Sequence, residues 1–302
     1  MIKNPSYCLL IAAALLCACT RTERDSYEPD VRLSFDPILM PATRSNTADA
    51  FPVDAQITVD AWDYPIDKGL EAGKIFLPAA KVSYNGEEWL PGGDEVMWPA
   101  SNRNLAVLAS CPNGKALSSD LENGVHFRVD DILSDQTDLL YTGLLDGLNK
   151  KYGGVVDLPF NHALCYVDFA MRTNAREGET VEVTDVSLVS LATAGDFNSL
   201  KEPQWTISGG TKEVAFFSGS VMVGATNTAV GTGMWVIPQF VESEVKVSLE
   251  YTMNSGTFHL HEGLMSAKFR KRFLPGRHYT ITLSFFPDEE KLILDESYFQ
   301  SL

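Results

Sequence analysis

Residues 31–37 read VRLSFDP, and in this stretch the apolar side chains of Val31, Leu33 and Phe35 alternate with polar ones. Alternation with a period of two places every second side chain on one face of an extended chain. The stretch therefore predicts a half-buried β-strand, which we expect to end near Pro37.

Comparable strand signals recur along the rest of the chain, with turn residues between them. The clearest turn is Asn85-Gly86, a dipeptide that tolerates the positive φ angles of a tight hairpin. No segment keeps a helical period over about twelve residues, although we expect a turn or two of helix within residues 135–148. Many short strands at this spacing predict an all-β sandwich. The predicted strands lie within residues 56–62, 81–89, 104–112, 154–160, 163–172, 181–191, 213–223, 233–240, 245–253, 256–263 and 278–286.

The length of the chain bears on the number of sandwiches. Its 302 residues suffice for two domains of ordinary size. We therefore expect two sandwiches in tandem, divided near Asp157, where the stretch KKYGGVVD (150–157) supplies turn residues before a new run of strands.

The N-terminus carries a processing signal. Lys3 precedes an apolar stretch, Cys8–Ala18, that is too short to span a bilayer, which needs about 20 apolar residues. Residues 16–19, LCAC, resemble the lipobox of bacterial lipoproteins, with Cys19 as the lipid acceptor. An ordinary secretory signal cut elsewhere is the alternative. A zinc site at Cys17 and Cys19 is disfavoured because paired zinc ligands are usually spaced further apart.

Charge limits the classes of partner. Removal of residues 1–18 takes away one basic residue, Lys3, and leaves 23 basic against 40 acidic residues, a formal net charge of −17. Such a surface repels phosphate backbones, so we expect no nucleic-acid partner. It also disfavours an electrostatic membrane patch, which leaves the lipid on Cys19 as the link to a membrane. The polar stretch 20–30 is expected to be a tether.

The cysteines and histidines give little sign of chemistry. Two cysteines, Cys111 and Cys165, lie beyond the leader. They could form a disulfide or remain as two buried free thiols, and we favour the free thiols. The histidines His259 and His261 could share one strand face, but a third metal ligand is missing from the pattern, so we expect no metal site. The motifs of hydrolases and phosphate-binding loops are absent from the sequence. We expect neither an enzyme nor a cofactor, and we expect most of the five tryptophans to pack in cores.

Several segments, taken in order, resemble the fimbrillin family, the type V pilus subunits of Gram-negative gut and oral bacteria. The resemblance implies two transthyretin-like β-sandwich domains in tandem, and it makes FNHAL (160–164) a structural signature and not a catalytic one. The matching segments are WDY (62–64), YNGEEW (84–89), VMWP (96–99), LAVLASCP (105–112), QTDLLYTG (136–143), VVDLPFNHAL (155–164), LATAGDFNSL (191–200), MWVIPQ (234–239) and PGRHYTITLSF (275–285).

The resemblance also implies how the chain is processed and assembled. Such subunits are exported as lipoproteins, cut by a trypsin-like protease after an arginine, and polymerised by strand exchange. Arg44 and Ser45 match the cleavage site. The expected organisation is a signal peptide (1–18), a tether with a removable first strand containing Val31, Leu33 and Phe35 (19–44), an N-terminal sandwich (45–157) and a C-terminal sandwich (158–302).

The end of the chain is a candidate donor strand. Leu292, Leu294, Tyr298 and Leu302 fall on one face at even spacing after the last predicted strand. A terminal edge strand packed on its own domain explains the same pattern.

The sequence thus predicts a pilus subunit or pilus-associated adhesin on the outer membrane and cell surface. Its expected partners are other pilin subunits, the processing protease, the outer membrane through its lipid, and a host or bacterial surface ligand. The alternative function is glycan binding by a surface lipoprotein of a polysaccharide-uptake system, which exposed clustered aromatics would favour.

Overall fold

The computed structural model describes residues 30–40, 51–130, 136–253, 256–260, 266–295 and 298–301. Within these ranges the chain forms β-strands and short 3-10 turns and no α-helix, so the predicted all-β class is confirmed. The strands are β1 (Ser34–Leu39), β2 (Gln56–Pro65), β3 (Lys74–Tyr84), β4 (Trp89–Pro91), β5 (Arg103–Cys111), β6 (Ser118–Asp120), β7 (Gly124–Val129), β8 (Leu140–Tyr141), β9 (Leu145–Leu148), β10 (Val155–His162), β11 (Cys165–Thr173), β12 (Thr180–Asn198), β13 (Trp205–Val223), β14 (Thr228–Val236), β15 (Phe240–Met253), β16 (Gly256–Leu260), β17 (Ser266–Arg272), β18 (Arg277–Phe286), β19 (Lys291–Leu294) and β20 (Tyr298–Ser301).

The first sheet closes on itself. Its strand order is β2-β3-β4-β1-β10-β8-β5-β9, and a further pairing joins β2 to β5. Seven strands therefore form a continuous ring of pairings in which β1 lies between β4 and β10. Every strand of the ring contributes side chains to one hydrophobic core, so removing any ring strand opens the sheet and uncovers that core.

The first strand is shifted toward the C-terminus relative to the sequence prediction. It begins at Ser34, after Val31 and Leu33, and it ends at Leu39 and not near Pro37. The backbone N–H groups of Ser34 and Met40 point toward β10, where they donate to the carbonyls of Gly154 and Phe160. Alternate residues of a strand direct their N–H groups to opposite sides, so the backbone nitrogen of residue 37 faces away from β10. Pro37, which has no N–H group, therefore removes no hydrogen bond to β10, and the strand continues through it.

The later strands form a sandwich of two sheets. One has the order β14-β11-β18-β19, with β20 also paired to β18, and the other has the order β16-β15-β12-β7-β6, with β13 paired to β12 and β17 to β15. Strands from both sheets supply a second core. β11 pairs in parallel with β18, as β1 does with β10.

A third cluster of buried residues lies where the two sets of strands meet. It includes Leu108 of β5, Phe127 of β7 and Phe197 of β12. Strands β6 and β7 precede Asp157 in the chain, yet β7 pairs with β12. The described residues of 135–148 form β8 and β9, so the expected helical turn is wrong there, because both segments complete pairings with β5.

Candidate functional site

Strand β1 is the candidate functional element. The side chains of Leu33 and Phe35 are 0 % and 2 % exposed, and Val31 packs against the same first core. All three residues of the predicted removable strand are thus directed into the core. Their burial contributes about 1.5–3 kcal/mol for each fully buried side chain.

The two edges of β1 are bonded to very different extents. Six register pairs join β1 in parallel to β10, from Ser34–Val155 to Leu39–Phe160. On the other side the β4 ladder consists of the pair Phe35–Trp89, supplemented by the bonds Leu33 N–Val96 O (2.9 Å) and Trp98 N–Val31 O (2.8 Å). Loss of β1 would leave both neighbouring backbones with unpaired groups, which is a template for another strand.

The start of β10 fits closely against β1. A Cβ atom added to Gly154 would lie 3.0 Å from Val31 Cγ1 and 3.1 Å from the Arg32 carbonyl oxygen. Trp98 Nε1 donates to the Gly154 carbonyl at 2.9 Å. Glycine at this position therefore lets the two backbones approach, while Trp98 fixes the carbonyl.

The space that β1 and residues 31–33 fill between β4 and β10 is called the groove below. Arg32 lies at its rim, between two carboxylates. Its guanidinium Nη1 lies 3.0 Å from Glu88 Oε1, and its Nε lies 3.3 Å from Glu95 Oε1. The hairpin at Asn85-Gly86 brings Glu88 there, since Asn85 Oδ1 accepts the backbone N–H groups of the next turn residues and Tyr84 pairs with Trp89. Sequence reasoning missed this ion pair; the signal was a single basic residue at an outward position of the strand.

The floor of the groove is aromatic. Phe51 packs edge-on to Trp89 at 5.6 Å between ring centroids and against Phe160 at 5.1 Å. Phe51 is itself buried. A strand that replaced β1 would therefore meet a preformed apolar surface.

Other predicted site residues lie partly or wholly outside the described part of the chain. Cys19, Arg44, Ser45 and Leu302 fall on residues that the structure does not describe. Tyr298 begins β20, whose backbone pairs with β18 through Thr280.

The candidate donor tail is paired within its own chain. β19 forms a four-pair antiparallel ladder with β18, and the half-buried Leu292 and Leu294 pack against the second core. Asp295 Oδ2 accepts from Arg172 Nη2 at 2.9 Å and from Ser284 Oγ at 2.8 Å. Donation would require all these contacts to break.

The remaining reactive side chains, two cysteines and a histidine, are buried in the interior. Cys111 and Cys165 are buried free thiols, as expected. Burial, followed by the charge of Asp138, raises the pKa of the Cys111 thiol to about 12, and burial raises the pKa of Cys165 as well. His162 of FNHAL is also buried, with Nδ1 2.8 Å from Asp138 Oδ2 and its ring stacked on Trp235. These groups pack between core elements.

The tryptophans do not form an exposed platform. Trp62, Trp89 and Trp98 are buried, and Trp205 and Trp235 pack half-buried against the third cluster. This distribution confirms the expectation of core packing, and it gives the glycan-binding alternative no support.

The described residues offer neither a metal site nor a membrane-spanning helix. Those residues contain no group of three or more His, Cys, Asp or Glu side chains placed to hold a metal ion. Over the same part of the chain, no helix has the length and hydropathy needed to cross a membrane. His259 lies on β16 opposite Glu250, and His261 is outside the described ranges.

Comparison with known proteins identifies the family. No curated protein matches the chain. A fimbrial protein of Bacteroides vulgatus has a similar fold, with a TM-score of 0.71 at 13% identity over 90% of this chain and 99% of that one. Candidate cell adhesion proteins of Bacteroides ovatus (TM-score 0.57, 14% identity, 91% and 98% covered) and Bacteroides uniformis (0.52, 19%, 90% and 98%) are also similar in fold. The fimbrillin-like family model matches residues 43–297, so this chain belongs to the fimbrillin-like family.

Proposed function

We propose that this chain is a structural fimbrial subunit or a fimbria-associated adhesin that assembles by exchange of strand β1. Membership of the fimbrillin-like family supports the fimbrial class and a non-enzymatic role at the cell surface. The observation that carries the exchange is the position of β1, a six-residue strand inserted between β4 and β10 in a closed ring of pairings.

The proposed sequence of events begins at the N-terminus. Cys19 is lipidated, with palmitate among its acyl chains, and residues 1–18 are removed, which anchors the subunit in the outer membrane. A trypsin-like protease then cuts between Arg44 and Ser45, which follow β1 in the sequence. The family match covers residues 43–297, so β1 lies outside the matched range.

Release of β1 supplies the driving force for assembly. It exposes the pockets of Leu33 and Phe35 and leaves backbone groups of β10 unpaired. A strand from a neighbouring subunit satisfies both by β-augmentation. We assign that role to the tail containing Leu292, Leu294, Tyr298 and Leu302, since a chain end can detach without unthreading any other strand. In the donor subunit, the ladder of β19 with β18 and the hydrogen bonds of Asp295 break when the tail leaves.

The proposed domains are the sandwiches 45–157 and 158–302. The first and second cores are separate, and Leu158 and Phe160 of β10 belong to the first, so the last strand of the N-terminal sandwich runs past this boundary. The proposed strand exchange does not depend on the position of the subunit in the fimbria. It also does not depend on a ligand on a host or bacterial surface.

The test is proteolysis followed by sizing. Purified protein is treated with a trypsin-like protease and examined for oligomers that resist mild denaturant. Wild-type protein is expected to polymerise only after cleavage, and an Arg44→Ala variant is expected to remain monomeric. A chain that ends at Pro287 should be cleaved yet fail to polymerise. Equal polymerisation of the shortened chain would remove the tail from the proposal, and polymerisation of Arg44→Ala would remove the cleavage site.

A further inference from the structure

The segment that leads into β1 carries a cation, Arg32, beside its apolar side chains. Arg32 contacts Glu88 at 3.0 Å and Glu95 at 3.3 Å, and the two carboxylate side chains are 37 % and 54 % exposed. When residues 19–44 leave, both carboxylates lose this partner. The vacated groove is then apolar along its floor and anionic at this point of its rim.

The tail strand β19 and the residue after it have the same order of side-chain chemistry as residues 32–36, which lead into β1 and include its first residues. Residues 32–36 read RLSFD, and residues 291–295 read KLILD. A basic residue, a leucine, an intervening residue, a large apolar residue and an aspartate occupy equivalent positions. Aligned in this way, Leu292 and Leu294 stand where β1 has Leu33 and Phe35.

We propose that Lys291 of an incoming subunit takes the place of Arg32 between Glu88 and Glu95, and so fixes the register of the exchanged strand. This inference rests on the proposed function, because it requires the tail to be the donor. The occupant of the groove is thus the segment Lys291–Leu294 of a second copy of this chain.

The cation fixes the register together with the apolar pattern. A slip by one residue turns every side chain to the other face and is excluded by burial. A slip by two residues keeps one leucine facing the floor. In one direction that slip places Ile293 beside the carboxylates and Glu296 at the site of Phe35, and in the other it buries Glu290 at the site of Leu33. Only the aligned register brings a positive charge to Glu88 and Glu95.

Lys291 is available for this role before exchange. Its amine is 3.8 Å from Glu289, and its side chain is 55 % exposed. Exposed pairs of this kind contribute little to stability. In the alignment of residues 291–295 with residues 32–36, the poorest match is Ile293 with Ser34. Ser34 is buried, so the groove must accommodate a larger side chain at that position.

The experiment is a charge exchange in the full chain. Lys291→Glu should slow polymer growth after cleavage by about fivefold, because like charges at the rim oppose docking. The double variant Glu88→Lys with Glu95→Lys should slow it comparably. The chain that carries all three changes should recover at least about half of the wild-type rate, since each interface regains opposite charges. Lys115→Glu, an exposed charge reversal away from the groove, should have no effect.

The outcomes separate this inference from the proposed function. If wild-type protein polymerises and Lys291→Glu does so equally fast, the register proposal is overturned while strand exchange stands. Slow growth of the triple variant, with its fold intact by circular dichroism, likewise overturns the pairing. Recovery in the triple variant, and loss of the Lys291→Glu effect at about 1 M salt, where charges are screened within about 3 Å, support it. Wild-type protein that never polymerises overturns both.

Discussion

Phe35 stands opposite Trp89 as the register pair between β1 and β4. The other edge of β1 has six pairs with β10. Backbone pairing is thus concentrated on the β10 side of the strand. On the β4 side, the burial of side chains contributes more to the stability of β1 than backbone hydrogen bonds do. The proposed exchange therefore requires an incoming strand that fills the same pockets and pairs with β10.

Phe35→Ala should destabilise the uncleaved protein strongly. Phe35 is 2 % exposed, and truncation of a buried phenylalanine costs about 3–5 kcal/mol through lost burial and the cavity left behind. Ile38→Ala in the same strand, at a side chain 36 % exposed, should cost under about 1 kcal/mol. Urea unfolding followed by circular dichroism measures both. Equal costs would contradict the directional burial of β1.

Gly154→Ala should loosen β1. The added Cβ would press on Val31 and the Arg32 backbone, and overpacking of this kind costs about 1–3 kcal/mol. Hydrogen exchange at the Ser34 amide, which donates to the Gly154 carbonyl, should accelerate. Gly143→Ala is the matched control, because no atom lies within 4 Å of its added Cβ. Unchanged exchange in Gly154→Ala would show that the contact does not hold the strand.

The two free thiols should be inert in the folded protein. Cys111 and Cys165 are buried, and burial raises the pKa of both, to about 12 for Cys111. The reactive form is the thiolate, so a maleimide at pH 8 should label neither cysteine until the protein is unfolded. Protein with residues 1–18 removed and Cys19 replaced by Ala isolates these two thiols for mass spectrometry. Rapid labelling of native protein would contradict their burial.

Asp196 should contribute stability that is lost in acid. The hydrogen bond from His126 lowers the pKa of its carboxyl below the usual value, and Arg128 lowers it further. The contribution is therefore complete above about pH 5 and disappears as pH falls through the lowered pKa. Asp196→Asn should cost under about 1 kcal/mol at pH 6, given partial exposure, and nothing at pH 2.

Asp185→Asn serves as the control for that titration, since Asp185 is exposed on the same strand, β12. Unfolding free energies of both variants are compared with wild type across the acid range. A penalty for Asp196→Asn that persists unchanged at low pH would show that its cause is packing and not charge.

Local patterns predicted the elements that matter most. The alternation of Val31, Leu33 and Phe35 identified β1, and Asn85-Gly86 identified the hairpin that carries Glu88. Both features are encoded by residues adjacent in sequence, so they needed no knowledge of distant contacts.

Non-local pairings could not be predicted in the same way. The parallel pairing of β1 with β10 joins residues more than a hundred positions apart in sequence. The 19-residue strands β12 and β13 change register at several bulges, which break the alternation that identifies a strand. The pairing of Arg32 with Glu95 likewise depends on tertiary structure.

The most direct test of strand exchange is a disulfide trap. Asp36 lies opposite Asp157 in the β1–β10 ladder, and both are exposed. In the proposed register Asp295 of a neighbour occupies the position of Asp36. The variant Asp157→Cys with Asp295→Cys should therefore form disulfides between subunits, since paired strand positions lie within disulfide reach.

Its control is Asp36→Cys with Asp157→Cys, which should form a disulfide within the uncleaved chain. After cleavage and mild oxidation, the account predicts a ladder of covalent oligomers from the Asp157→Cys, Asp295→Cys protein. Peptide mapping should find the link between positions 157 and 295 of different subunits, with none before cleavage. Polymers that form without this link, while the control disulfide forms normally, would contradict the exchange of β1 for the tail.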